Sequence, residues 1–170
     1  RLFADLDRLA RPGTVLASNT SYLDLDELAR ATTRPEAVVG LHFFSPANVM
    51  RLIEVVRGRA TAPATLATAL GVARRLGKVP VVVGVCYGFV GNRMLARRFA
   101  AGERLLLAGA LPHQVDAAMV DFGFPMGPFA AGDLAGLDIG WRNRKARGLK
   151  AEIADALCEA GRLGQKTGCG

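Results

Sequence analysis

The stretch Val79-Pro80-Val81-Val82-Val83-Gly84-Val85-Cys86-Tyr87-Gly88-Phe89 divides this chain of 170 residues. Its first part is an apolar, β-branched run of strand length, far short of the roughly 18 apolar residues of a membrane helix. Upstream, strand-like and helix-like segments alternate. Downstream, only helical periodicity follows. The predicted fold class is therefore α/β then all-α, with a boundary near Tyr87: residues 1–86 form one domain and residues 87–170 the other.

Working back from that run, Gly77 ends a helix expected over 63–76. Strands are expected over 52–56, 37–44 and 14–18. A short helix over 24–29 has Asp24 as its cap and Glu27 three residues on. Leu2, Phe3, Leu6 and Leu9 repeat at helical spacing until Arg11-Pro12-Gly13. The strands are nearly continuous in apolar residues, as in a mostly parallel sheet covered by helices. A complete nucleotide-binding half opens with a strand and a glycine-rich turn, and no G-x-G-x-x-G stands here. The layer reads as truncated at its start, and Arg1 and Gly170 both read as cut ends. Working forward, helices are expected over 89–108, 112–122, 128–137 and 151–162, with the basic run Arg142, Arg144, Lys145 and Arg147 most simply a solvated loop or, alternatively, a phosphate-binding one.

The chain is 51% hydrophobic and 22% charged, which excludes a disordered chain. Its net charge of +7 suits anionic partners such as nucleotides, nucleic acid or acidic lipids. Nucleic acid has little else behind it: one Trp, two Tyr, and no helix-turn-helix or zinc pattern. Cys86, Cys158 and Cys169 are scattered, odd in number and without metal spacing, as in a reducing compartment.

Only two histidines are present. His113 follows Pro112 at a helix start and reads as a surface residue. His42 ends the strand Val38-Val39-Gly40-Leu41, and ligands of open α/β sheets bind beyond the carboxyl ends of strands. Alternatively, it is a core histidine bonded to backbone. Glu54 lies inside Leu52-Ile53-Glu54-Val55-Val56, where an unpaired acid is costly. Arg51 and Arg57 share a strand parity that Glu54 does not, so a partner from a neighbouring strand, such as His42, is favoured. A His–carboxylate pair fixes the ring tautomer and stabilises the imidazolium of a general base, worth about 10²–10⁴ in rate. Asn92, in Gly88-Phe89-Val90-Gly91-Asn92-Arg93, is either an amide donor to a carbonyl or a plain first-turn residue. Ser18-Asn19-Thr20-Ser21 is ordinary turn chemistry or, with Ser21, part of a site at the same sheet edge as His42.

Four stretches resemble the motifs of L-3-hydroxyacyl-CoA dehydrogenases: Ala17-Ser18-Asn19-Thr20-Ser21, Gly40-Leu41-His42-Phe43-Phe44-Ser45-Pro46, Gly88-Phe89-Val90-Gly91-Asn92-Arg93 and Phe124-Pro125-Met126-Gly127-Pro128-Phe129. Gly132-Asp133-Leu134-Ala135-Gly136-Leu137-Asp138 and Leu163-Gly164-Gln165-Lys166-Thr167-Gly168 continue the match. Gly140-Trp141-Arg142-Asn143-Arg144-Lys145 is most like the dehydrogenase part of the multifunctional fatty-acid β-oxidation enzymes. The resemblance implies the C-terminal part of a Rossmann-like NAD-binding domain, then a helical substrate-cleft and dimerisation domain. It implies NAD-dependent oxidation of L-3-hydroxyacyl-CoA to 3-oxoacyl-CoA, with His42 as base and Glu54 orienting it. It implies further that Asn92 binds the acyl-CoA thioester, that Ser21 contacts substrate and cofactor, and that Ser45 and Lys166 lie near NAD. No metal, nucleic acid or membrane span is implied. The expected assembly is a homodimer or a fusion to an enoyl-CoA hydratase domain, in a bacterial cytoplasm or a eukaryotic peroxisome.

The chain departs from the family in lacking the glycine fingerprint and the acidic ribose-binding residue, and its loop from Gly148 to Ile153 is shorter. The alternative reading is a cofactor-deficient folding and dimerisation module of such an enzyme. A dehydrogenase of small free hydroxy acids typically uses a Lys base and another glycine-rich motif, which the chain does not show.

Overall fold

The computed structural model describes residues 1–170. Two compact units divide the chain, Arg1–Arg93 and Met94–Gly170. The first holds helices α1 (Leu2–Leu9), α2 (Leu25–Arg30) and α3 (Pro63–Arg75) and strands β1 (Leu16–Ser18), β2 (Val38–Phe43), β3 (Leu52–Arg57) and β4 (Val79–Gly84). The strands form one sheet in the order β1-β2-β3-β4. β1 is parallel to β2 and β3 to β4, whereas β2 and β3 are antiparallel. Helices supply the two parallel crossovers, and residues 44–51 suffice for the antiparallel one.

Strand alternation sends side chains to two cores. Val38 and Val56 join Phe3, Leu16, Leu25, Ala29, Val83 and Phe89. Val39 and Val55 pack with Ala69 of α3 on the opposite face. Burial of each large apolar side chain contributes about 1.5–3 kcal/mol. Asp24 caps α2, accepting from the Asp26 N–H at 2.8 Å. Arg34 closes α1, donating to Asp7 Oδ1 at 2.6 Å and to the carbonyls of Asp7, Ala10 and Arg11.

β4 corrects one expectation. Its apolar run predicted cover on both faces, yet Val79, Val81 and Val82 are 47%, 43% and 46% exposed. β4 pairs with β3 alone and forms the sheet edge, so its valines lack a second neighbouring strand.

From residue 86 onward only helices and an isolated bridge between Gly164 and Cys169 occur. They are α4 (Gly91–Leu107), which starts in the first unit, α5 (Pro112–Asp121), α6 (Pro128–Ala135), α7 (Leu137–Ala146) and α8 (Glu152–Glu159). None is long and apolar enough to cross a membrane.

Two expectations change here. The helix expected over 128–137 stops at Gly136, whose φ of 96° breaks the helical path. Of the basic run expected as a loop, Arg142, Arg144 and Lys145 instead lie in the second half of α7, and Arg147 is its C-cap. Pairs one turn apart support it there: Arg142 lies 3.2 Å from Asp138, and the Lys145 ammonium sits 3.8 Å from the Trp141 ring centroid.

The residues that precede α6 and α8, Gly127 and Ala151, make no side-chain cap bond. Asp116 of α5 accepts from the N–H groups of Phe129 and Ala130, and Glu103 of α4 accepts from those of Ile153 and Ala154. Carboxylates borrowed from other elements thus satisfy donors that a helix start leaves open.

Candidate active site

The register of β2 against β3 sets His42 directly opposite Glu54. Opposed residues of antiparallel strands project to one face with Cβ atoms about 4.5–5.5 Å apart, within reach of a side-chain bond. His42 Nδ1 lies 2.7 Å from Glu54 Oε2. His42 is 4% exposed and Glu54 1%, so the pair is shielded from water. Arg51 and Arg57 are both exposed, in keeping with their opposite parity.

Glu54 uses its second oxygen elsewhere. Oε1 accepts from the N–H groups of Val90 at 2.9 Å and Gly91 at 2.8 Å, where α4 begins. Three hydrogen bonds offset the cost of burying this carboxylate. An ionised carboxylate only accepts, so Nδ1 of the neutral ring carries the proton and Nε2 keeps its lone pair. Nε2 lies 3.0 Å from Ser21 Oγ, whose hydroxyl donates to it. The order is therefore Ser21, His42, Glu54, then the first turn of α4.

Aromatic rings enclose the imidazole. The Phe44 and Phe89 centroids stand 4.8 Å and 5.6 Å from that of His42. Phe89 is 1% exposed and takes a φ of 45°, a conformation costing about 1–3 kcal/mol in a residue with a side chain. Its packing in the sheet core holds it there.

Not every expected site residue joins this group. Asn92 is the second residue of α4, next to the Gly91 N–H that binds Glu54, and it is partly buried. Ser45 is exposed beyond β2 and makes none of these bonds. Lys166 lies in the second unit, bonded to Asp138. The Lys166 ammonium bonded to it holds the Asp138 carboxyl below its ordinary value, outweighing partial burial. His113 is exposed at the start of α5, the surface position expected of it.

The link from Glu54 to Val90 and Gly91, and the rings of Phe44 and Phe89, were not among the residues singled out from sequence. One signal was available. Tyr87-Gly88-Phe89-Val90 offers no Ser, Thr, Asp or Asn to cap the helix that follows, so an acceptor from elsewhere is required.

A buried imidazole with one nitrogen held by a carboxylate can act as a general base through the other. Comparison with known proteins gives this arrangement a context. Residues 1–86 match the family model of the 3-hydroxyacyl-CoA dehydrogenase NAD-binding domain, and residues 88–170 that of its C-terminal domain. The peroxisomal bifunctional enzyme of Cavia porcellus is 48% identical over 188 residues, covering 100% of this chain and 26% of that protein. The fatty acid oxidation complex subunit alpha of Pseudomonas savastanoi is 41% identical over 178 residues, covering 99% and 25%. The crystal structure of 3-hydroxybutyryl-CoA dehydrogenase from Escherichia coli K12 superposes with a TM-score of 0.91 at 37% identity, covering 99% of this chain and 38% of that one. The chain thus spans about a quarter of the length of the curated relatives it matches.

Proposed function

This chain belongs to the 3-hydroxyacyl-CoA dehydrogenase family, and we propose that it carries the proton-transfer apparatus of an enzyme oxidising L-3-hydroxyacyl-CoA to 3-oxoacyl-CoA in fatty-acid β-oxidation. The observation that carries the proposal is the buried 2.7 Å contact between His42 Nδ1 and Glu54 Oε2, with Nε2 facing the Ser21 hydroxyl.

His42 Nε2 takes the proton of the substrate 3-hydroxyl. Glu54 keeps the other ring proton on Nδ1 and balances the charge that forms on the imidazole. Once the substrate hydroxyl donates to Nε2, the Ser21 hydroxyl donates to the substrate oxygen and orients it, and Asn92 donates to the acyl carbonyl. Enclosure by Phe44 and Phe89 keeps water from competing for Nε2.

NAD is the hydride acceptor this chemistry requires, and the family's N-terminal domain is an NAD-binding domain. The nicotinamide end fits the residues present: β1 and β2 run parallel, so their carboxyl ends stand side by side and carry Ser21 and Ser45 just beyond them. No glycine-rich strand-to-helix turn occurs in the 170 residues, so none of them is assigned to the cofactor's diphosphate. Residues 1–86 are the cofactor-side domain of the proposal and residues 87–170, which include Lys166, the substrate-cleft and dimerisation domain. A relative named as a bifunctional enzyme supports fusion to a second enzymatic part, for which an enoyl-CoA hydratase is proposed, and its peroxisomal name supports a peroxisome as one of the two proposed compartments beside a bacterial cytoplasm.

The test uses the natural full-length protein with acetoacetyl-CoA and NADH, following the loss of NADH absorbance. Turnover is expected, with a fall on the order of 10²–10⁴ in a His42→Gln variant. Absence of turnover, or an unimpaired variant, refutes the proposal.

A further inference from the structure

We propose that the first turn of α4 is a positioning element for the proton-transfer pair: the N–H groups of Val90 and Gly91 hold the Glu54 side chain in the one orientation that it presents to Nδ1 of His42. The inference rests on the reading of His42 as a base.

Glu54 has two ends in use at once. Oε1 meets two N–H donors, at 2.9 Å from Val90 and 2.8 Å from Gly91, while Oε2 meets Nδ1 at 2.7 Å. The donors cannot rotate away, because they belong to the backbone at a helix start. Residues 87–90 supply no capping side chain of their own, so Glu54 is the acceptor these two N–H groups have. The space beside Gly91 is also closed. A Cβ on Gly91 would stand 2.5 Å from Phe44 Cζ, and Phe44 is one of the rings beside His42. Val90 and Gly91 therefore clamp the carboxylate in one orientation without touching the imidazole.

The clamp has a consequence that charge loss alone does not. In Glu54→Gln, the side chain presents one acceptor oxygen and one donor NH₂. Two backbone donors admit only the oxygen on their side. The NH₂ then faces Nδ1, which must accept, and the ring proton moves to Nε2. There it points at Ser21 Oγ, and the lone pair needed to take the substrate proton is lost. Without the clamp, the amide would turn its oxygen to Nδ1 and preserve the working tautomer, so a tautomer change separates clamping from simple removal of charge.

The experiment uses the natural full-length protein with ¹⁵N-labelled histidine, read by solid-state ¹⁵N spectroscopy at a pH where the ring is neutral. A His42→Gln variant assigns the signal. We expect Nδ1–H in the unaltered protein and Nε2–H in Glu54→Gln. The kcat of that variant should fall on the order of 10²–10⁴, and raising the pH should not restore it, since the fault lies in where the proton sits. Retention of Nδ1–H in Glu54→Gln, or recovery of kcat at high pH, overturns the proposal. Should that variant not fold, amide exchange in the unaltered protein decides. Slow exchange at both Val90 and Gly91 is expected, and exchange as fast as at an uncapped helix start overturns it. The ring-proton readout needs no substrate. Failure of the dehydrogenase assay with the expected tautomers would thus reject the functional reading alone.

Discussion

Replacing Gly40 by Ala puts a methyl group where β2 and β3 leave no space for one. Gly40 pairs with Val56, and a Cβ built on it stands 2.7 Å from Val56 Cβ and 2.9 Å from Val56 Cγ2. Ordinary contact begins near 3.4 Å, so the neighbour must yield by about 0.7 Å. Val56 Cβ is fixed to the backbone and cannot swing aside, so the strands themselves must part. Overpacking of a core costs about 1–3 kcal/mol, and a backbone-bound obstacle places this case near 2 kcal/mol. His42 and Glu54 form a pair two residues along the same ladder. If the displacement carries that far, their 2.7 Å contact stretches to the limit of a hydrogen bond. Misplacement on the order of 1 Å lowers rate by up to about 10². Gly84→Ala supplies the control, since a Cβ at Gly84 in β4 meets nothing within 4 Å. In the full-length protein, hydrogen exchange of the β2 and β3 amides should quicken about 30-fold in Gly40→Ala, the equivalent of about 2 kcal/mol. The kcat for NADH-dependent reduction of acetoacetyl-CoA should fall about 10- to 100-fold, while Gly84→Ala changes neither quantity. Equal behaviour of the two variants would refute the steric reasoning.

Two further outcomes follow from titratable groups. The N–H and hydroxyl of Thr33, outweighing burial and joined by Arg34, hold the Asp7 carboxyl below its ordinary value. Its folded value lies below its unfolded one, so the stability it lends is complete above the unfolded value and is lost as pH falls through the folded one. Hydrogen exchange in α1 should accelerate on acidification, and Asp7→Asn should weaken that dependence; an unchanged profile would reject the assignment. Burial pushes the Cys158 thiol up, ahead of opposing help from Arg144. Cys169 is exposed. Alkylation at neutral pH followed by peptide mass spectrometry should label Cys169 first and Cys158 only after denaturant is added. Early labelling of Cys158 would contradict its burial.

The order of elements was legible in the chain, because apolar period and glycine or proline punctuation are local. That local pattern placed the change from α/β to all-helical at Tyr87, in Cys86-Tyr87-Gly88 just before α4. It also singled out His42 and Glu54, since a histidine at a strand end and an acid among valines are conspicuous wherever the strands pair. Side-chain parity even turned Glu54 away from Arg51 and Arg57. Local pattern did not show that α7 runs through Arg142, Arg144 and Lys145, because the carboxylates and ring that support it come into range only once the helix exists. Nor did it show that β4 lies at an edge, since a run of valines reads alike under one cover or two. The antiparallel register that sets His42 against Glu54, and the approach of the α4 start to the carboxylate's other oxygen, came only with the folded chain. Those contacts join residues 12, 36 and 37 positions apart. Hydrogen bonds between such residues depend on how the sheet stacks its strands and where the next helix is capped, and neither is written in any local stretch of the chain.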